Sequence, residues 1–220
     1  MVTPDKIIRS QRKTLSISID AFGLLIVRAP KRCPNEKISA FLQEKEGWIL
    51  RKKAERQGAG IHLPPENLDG YSLMVLGRLY KIVVASTVKI SFGEDKATLF
   101  VPNKDTKKRL VNWLKDNAKR IFTEVVERKS AEMGVTYTSV SVSSAKSRWG
   151  SCSGDDRLRF SFRLLYAPKD VVEYVVVHEL AHTRQKNHSP LFWAEVKKYV
   201  PDYKQKRAWL KTHGALMEIF

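Results

Sequence analysis

Leu15, Ile17 and Ile19 alternate with polar residues, Phe22-Gly23 reads as a turn, and the chain returns through Leu25 to Ala29, a pattern that predicts a β-hairpin. The apolar spacing then lengthens to that of a helix over about 35–56, with Ile38, Phe41, Leu42, Lys45, Trp48 and Ile49 on one face. Residues 57–70 contain Gly58, Gly60, Pro64, Pro65 and Gly70 and read as a linker. Strands are expected at about 71–76, 79–85, 88–92 and 97–101, giving a faint strand-then-helix echo too weak to be a repeat. A long amphipathic helix follows over 107–133, its stripe formed by Leu110, Leu114, Ala118, Ile121 and Val125 beside Trp113 and Phe122. Strands at about 138–143 and 158–164 come next, the second alternating Leu158, Phe160, Phe162 and Leu164 with Arg159, Ser161 and Arg163. Pro168 and Asp170 then open another helix, where fixed φ and an acidic first turn both suit an N-terminus. The pattern is that of an α+β protein, with a strand-rich N-terminal region of hairpins and a helix (1–103) followed by a second region (104–220) of a long helix, a small sheet and further helices.

The apolar run Val175-Val176-Val177 leads directly into His178-Glu179-Leu180-Ala181-His182, with His188 close behind. A helix turns about 100° per residue, so His178 and His182 share one face and can share one ion. Glu179 lies about 100° around from His178, which suits a base acting on water rather than a ligand. An HExxH string arises by chance roughly once in a hundred such chains. Imidazoles and a carboxyl are seldom buried without partners, and the valines place this helix in a core.

A continued helix would carry His188 about 240° around from His182, where it could not bind. The chain must therefore leave the helix between Thr183 and Asn187. Asn187 tolerates the left-handed conformation, and Ser189-Pro190 reads as an N-cap followed by proline at the first helical position. The spacing of His178, His182 and His188 equals that of the metzincin pattern HExxHxxGxxH, but Gln185 occupies the glycine position, so the turn must be made differently. Glu195 and Asp202 are rival third ligands in the gluzincin manner, and His213 is a more remote one. Three neutral imidazoles would leave Zn²⁺ its full charge and an open position for water, with Glu179 as general base. Tyr203, Arg207 and Arg148 are candidates to contact an oxyanion or substrate, set against roles as a core aromatic and structural ion pairs. Cys152 and Met217 read more simply as packing residues.

The 220 residues, 43% hydrophobic, suffice for one sizeable core or two small ones. No stretch approaches the roughly 18 apolar residues of a membrane span, and the first 20 residues carry charges where a signal peptide is apolar, so a cytoplasmic protein is expected. Cys33 and Cys152 are too few and too far apart for a disulfide framework. The net charge of +17 is spread along the chain, +7 over 1–100, +6 over 101–160 and +4 over 161–220. Such a field favours encounters with nucleic acid or acidic proteins, although no nucleic-acid-binding module is visible and a merely solubilising surface explains it as well.

Arg148-Trp149-Gly150-Ser151-Cys152-Ser153, Leu158-Arg159-Phe160, Ala167-Pro168, Tyr174 through His182, Asn187-His188-Ser189 with Phe192-Trp193, and Pro201-Asp202-Tyr203 with Arg207 and Trp209-Leu210 closely resemble the YgjP-like family of metal-dependent hydrolases, relatives of the SprT-like and WLM zinc peptidases. The resemblance implies a zincin-type core, zinc on His178, His182 and His188, and Glu179 as base. The expected activity is zinc-dependent hydrolysis of peptide bonds in a protein or peptide substrate. The alternatives are a nucleic-acid-associated protein, whose peptidase action would fall on DNA-bound or crosslinked proteins, and a binding module with a structural zinc.

Overall fold

The computed structural model describes residues 2–19, 23–57 and 64–220, which form two compact units, Met1–Leu63 with Thr212–Glu218, and Pro64–Lys211 with Ile219–Phe220. The strands of residues 72–102 fall in the second unit.

In the first unit, β1 (Lys6–Ser10), β2 (Ser16–Ile19) and β3 (Leu25–Pro30) form a sheet in the order β1-β3-β2, with β1 parallel and β2 antiparallel to β3. The β2–β3 hairpin is the one expected; Phe22 of its turn lies outside the described residues, as do residues 58–63 of the predicted linker. Strand alternation sends Leu25, Val27 and Ala29 inward, where they meet Ile38, Leu42 and Ile49. The expected single helix is two, α1 (Asn35–Glu44) and α2 (Glu46–Gln57). Lys45 breaks the run at φ −99°, ψ 9°, its N–H reaching the carbonyls of Phe41 and Leu42, next to a Gly47 that costs a helix about 1 kcal/mol relative to alanine. The Asp5 carboxylate accepts from Leu25 N (2.6 Å) and Lys53 Nζ (3.0 Å), which together hold its pKa below the ordinary value.

The second unit begins with β4 (Ser72–Val75), β5 (Arg78–Ala85), β6 (Ser91–Phe92) and β7 (Thr98–Pro102), ordered β4-β5-β7-β6. Leu76 and Gly77, at φ 52° and 78°, make the β4–β5 turn with the double left-handed geometry that matches strand twist. The Leu76 N–H donates to Leu165 O at 2.6 Å. Helix α3 (Thr106–Met133) buries Leu110, Leu114, Ala118, Phe122 and Val126, so beyond Ala118 the fully buried stripe runs through Phe122 and Val126 while Ile121 and Val125 are only half-buried. Phe122 meets Phe160 at 5.5 Å between ring centres.

A second small sheet packs on α3: β8 (Ser139–Ser143), β9 (Gly150–Cys152) and β10 (Arg157–Ser161), ordered β8-β10-β9, with β8 parallel and β9 antiparallel to β10. The strand expected over 158–164 stops at Ser161 and continues as a 3-10 segment, Phe162–Tyr166, all of it buried. Arg163 is therefore inside rather than on the outward face, and its guanidinium is satisfied by the carbonyls of Ser144 (2.9 Å), Ile219 (2.9 Å) and Phe220. The unit is completed by α4 (Lys169–Arg184), α5 (Pro190–Tyr199) and α6 (Tyr203–Thr212). Among the described residues no helix is long and apolar enough to cross a membrane.

Candidate metal centre

Helix α4 is buried along most of its length through Val171, Val172, Val175, Val176, Val177, Leu180 and Ala181, and this fixes which way its polar residues face. His178 and His182 stand one turn apart and look into a cleft. The chain leaves the helix at Gln185, extended at φ −128°, ψ 100°, and not through a left-handed Asn187, so no glycine is needed for this turn. Asn187 instead uses its Oδ1 to accept from Ser189 N at 3.2 Å. Ser189 then caps α5 by accepting from Phe192 N, with Pro190 in the first turn, and the corner so made carries His188 back over α4.

Arg184 fastens this corner. Its Nη2 donates to Met133 O (2.7 Å) and Gly134 O (3.1 Å), satisfying carbonyls at the end of α3, while Nη1 pairs with Glu195 of α5.

The outcome is three imidazoles with one candidate ligand atom each, all within 4.8 Å of one another. His178 Nε2 and His188 Nε2 are 3.0 Å apart. Two nitrogens on a tetrahedral zinc at roughly 2.0–2.1 Å would be about 3.3 Å apart, so this pair already stands near ligand spacing, while the three-imidazole set spans up to 4.8 Å. The Nδ1 of His182 lies 2.9 Å from Gln185 O, a bond that assigns its proton to Nδ1 and leaves Nε2 free to bind. His178 Nδ1 is buried without a hydrogen-bond partner among the described residues; packing orients that ring instead. Phe192, fully buried, stacks on His182 at 4.5 Å and sets its edge against His178 and His188, and Tyr174 meets His178 at 5.9 Å. Burial first, then the neighbouring His182 and His188 rings and the Arg207 guanidinium, push the pKa of His178 down to about 3, and burial also lowers that of His182. Neutral imidazole is the form that binds a metal.

Glu179 is 6% exposed, and a carboxylate so placed would be costly without a function or partner. Burial raises its pKa to about 8, against the opposing pull of Arg148 and the Cys152 backbone amide. It lies under the edge strand β9: a Cβ added to Gly150 would stand 2.7 Å from Glu179 Oε1 and 2.8 Å from its Cγ. Gly150 therefore allows the strand to approach the carboxyl as closely as it does. Residues 150–154, His178, Glu179, His182, Lys186 and His188 enclose an open cleft of about 600 Å³.

The other sequence candidates have different places. Glu195 is committed to Arg184, and Asp202 to Lys206 at 3.0 Å, so neither joins the imidazoles. His213 and Met217 belong to the first unit, and Met217 is buried. Cys152 lines the cleft with a thiol pushed up to about 11, chiefly by burial, which makes it a poor thiolate. Arg148 is exposed but close enough to act on Glu179. Tyr203 stacks on Trp193 (5.1 Å, 18°), and Arg207 lies 5.0 Å from the same indole. Sequence reasoning assigned no role to Gly150, Phe192 or Trp193 and no strand to Gly150–Cys152. Three residues are too few for an alternation to show, and the aromatic pair entered only as part of the motif shared with the family, which by itself gives it no role.

A family model for the YgjP-like metallopeptidase domain matches residues 13–213. No curated protein sequence matches the chain. Among solved structures, the metallopeptidase zymogen abylysin of Pyrococcus abyssi is similar at 23% identity over 41% of this chain and 92% of its own, with a TM-score of 0.39. The zymogen of jannalysin from Methanocaldococcus jannaschii is similar at 18% identity over 40% and 94%, with a TM-score of 0.36.

Proposed function

The chain belongs to the YgjP-like family of metallopeptidases and is a hydrolase of proteins or peptides, and from that premise we propose that His178, His182 and His188 hold a zinc ion and that Glu179 is the general base. The observation that carries this reading is the convergence of three imidazoles within 4.8 Å beside a carboxyl buried to 6% exposure with, among the described residues, no ion pair to account for it. Three nitrogen donors with an open fourth side suit zinc and leave room for water and substrate. Bound there, zinc supplies Lewis acidity toward a water molecule and the scissile carbonyl. Glu179 accepts the proton of the attacking water at a carboxylate oxygen and passes it to the leaving amine nitrogen. Gly150 keeps that carboxyl and the β9 edge at close range, so an extended peptide pairing with β9 brings its carbonyl over the cleft.

The purified chain is expected to contain about one zinc ion and to digest casein. Glu179→Gln retains the metal and loses digestion, whereas His178→Ala loses both. Digestion that survives Glu179→Gln would remove the carboxyl from the mechanism, and a chain that binds zinc tightly yet cleaves nothing would point to a structural ion.

The charge of +17 supports a separate reading, association with a polyanion such as DNA, which would bring the peptidase to proteins bound there. Retention on DNA that falls steeply with salt is its expected signature.

A further inference from the structure

Beside the metal centre, separated from it by one indole ring, lies a second open cavity of about 590 Å³ lined by Trp193, Tyr203, Lys204, Arg207, Ala208 and Lys211. Trp193 is the partition: it stacks on His188 (5.6 Å, 30°) and forms a wall of this cavity. Lys204, Arg207 and Lys211 are spaced three and four residues apart, so α6 presents them as one stripe, with Ala208 leaving space between. Among the described residues no carboxylate lines the cavity. The nearby acids Asp170 and Asp202 both engage Lys206, the half-buried cation off this stripe. Arg207 is held against the Trp193 ring at 5.0 Å, an arrangement that immobilises the guanidinium while leaving its N–H fork for an acceptor.

Resting on the assignment of the active centre above, we infer that Lys204, Arg207 and Lys211 form a specificity subsite for a carboxylate side chain, Asp or Glu, of the peptide substrate. The distance sets the range. The guanidinium is two ring contacts from the centre of His188, and an extended peptide advancing about 3.3 Å per residue covers that in about three residues. The selected acid therefore lies within about three residues of the scissile bond. A stacked nucleic-acid base is disfavoured, because His188 and Tyr203 are both stacked on Trp193 and Arg207 crowds the same indole.

The test uses the zinc-loaded full chain and fluorogenic peptides identical except for Glu, Gln or Lys at each of the three positions on either side of the cleaved bond. At one position the Glu peptide is expected to show a KM about tenfold below the Gln peptide and lower still against Lys, a preference that shrinks as salt rises. Lys204→Gln/Lys211→Gln and Arg207→Gln collapse the Glu-to-Gln ratio toward one, Arg207→Glu reverses it in favour of Lys, and Lys206→Gln keeps it. Calorimetry with uncleaved peptide and Glu179→Gln reads the same preference without turnover. Equal handling of Glu and Lys peptides by an active enzyme overturns the subsite and leaves the active centre standing. Loss of the metal requirement, or activity in Glu179→Gln, overturns the active centre instead. A single-stranded oligonucleotide that binds this stripe while acidic peptides do not would reassign it to nucleic acid.

Discussion

The sheet β1-β3-β2 and the sheet β8-β10-β9 share one topology: the first strand parallel to the third, the second antiparallel to it, and the third in the middle. Strands β5, β6 and β7 repeat it again. Two of these edges, β2 and β9, differ in what lies against them. On β2, Ile17 and Ile19 pack against a core of leucine, valine and isoleucine, so that edge is part of a hydrophobic layer. On β9, Gly150 has no side chain, and the space a Cβ would need is taken by Glu179. The strand arrangement is thus shared, and what sets this copy apart is the helix bearing His178 and Glu179 beneath its edge.

The comparison breaks most sharply at the carboxyl. Glu179→Gln is expected to lower peptide cleavage by about 10²–10⁴-fold with zinc content and melting temperature retained, measured by digestion and metal analysis. Gly150→Ala comes next: its Cβ would displace Glu179, and a misplacement of about 1 Å costs roughly a hundredfold in kcat. The matching change on the other edge, Ile17→Ala, should lower stability in denaturant by about 1–2 kcal/mol and leave kcat intact, since it removes partly buried apolar surface alone. A loss of stability without loss of kcat in Gly150→Ala would erase the difference between the two edges.

Arg184→Gln sharpens the account of how the corner is held. Losing charged bonds to Met133 O and Gly134 O is expected to cost about 1.5–3 kcal/mol and to weaken zinc binding through His182 and His188, read by unfolding and by chelator competition. The smallest effect concerns Asp170, whose pKa is lowered, chiefly by Lys206. Because its folded-state pKa is depressed, its contribution is present above the unfolded value and is lost as pH falls through the folded one. Asp170→Asn should therefore lower stability slightly at neutral pH, where that contribution is in place, and flatten the acid limb below about pH 4, where the native carboxylate loses it anyway.

Much of the centre was legible because it is local. His178 and His182 are set by helical pitch, and the capping of α5 by Ser189 and Pro190 is written in adjacent residues. The exit at Gln185 was not legible, since an extended φ is open to any residue and carries no sequence mark. Nor was the inward Arg163: alternation put it outside, and the carbonyls of residues 144, 219 and 220, distant in sequence, help make its burial tolerable. The strand order that recurs in three sheets was not legible either, since each copy packs against different neighbours.

The order of amino acids by itself determined the α+β character, the paired imidazoles and the acid beside them, because pitch and alternation act over a few residues. Tertiary structure alone decided that β9 lies against Glu179, that Phe192 gathers the three rings, and that Trp193 stands between the imidazoles and the α6 cations. These are contacts between segments distant in the chain or turned by a corner, and their geometry follows from how the helices and sheet fill space together rather than from any local preference.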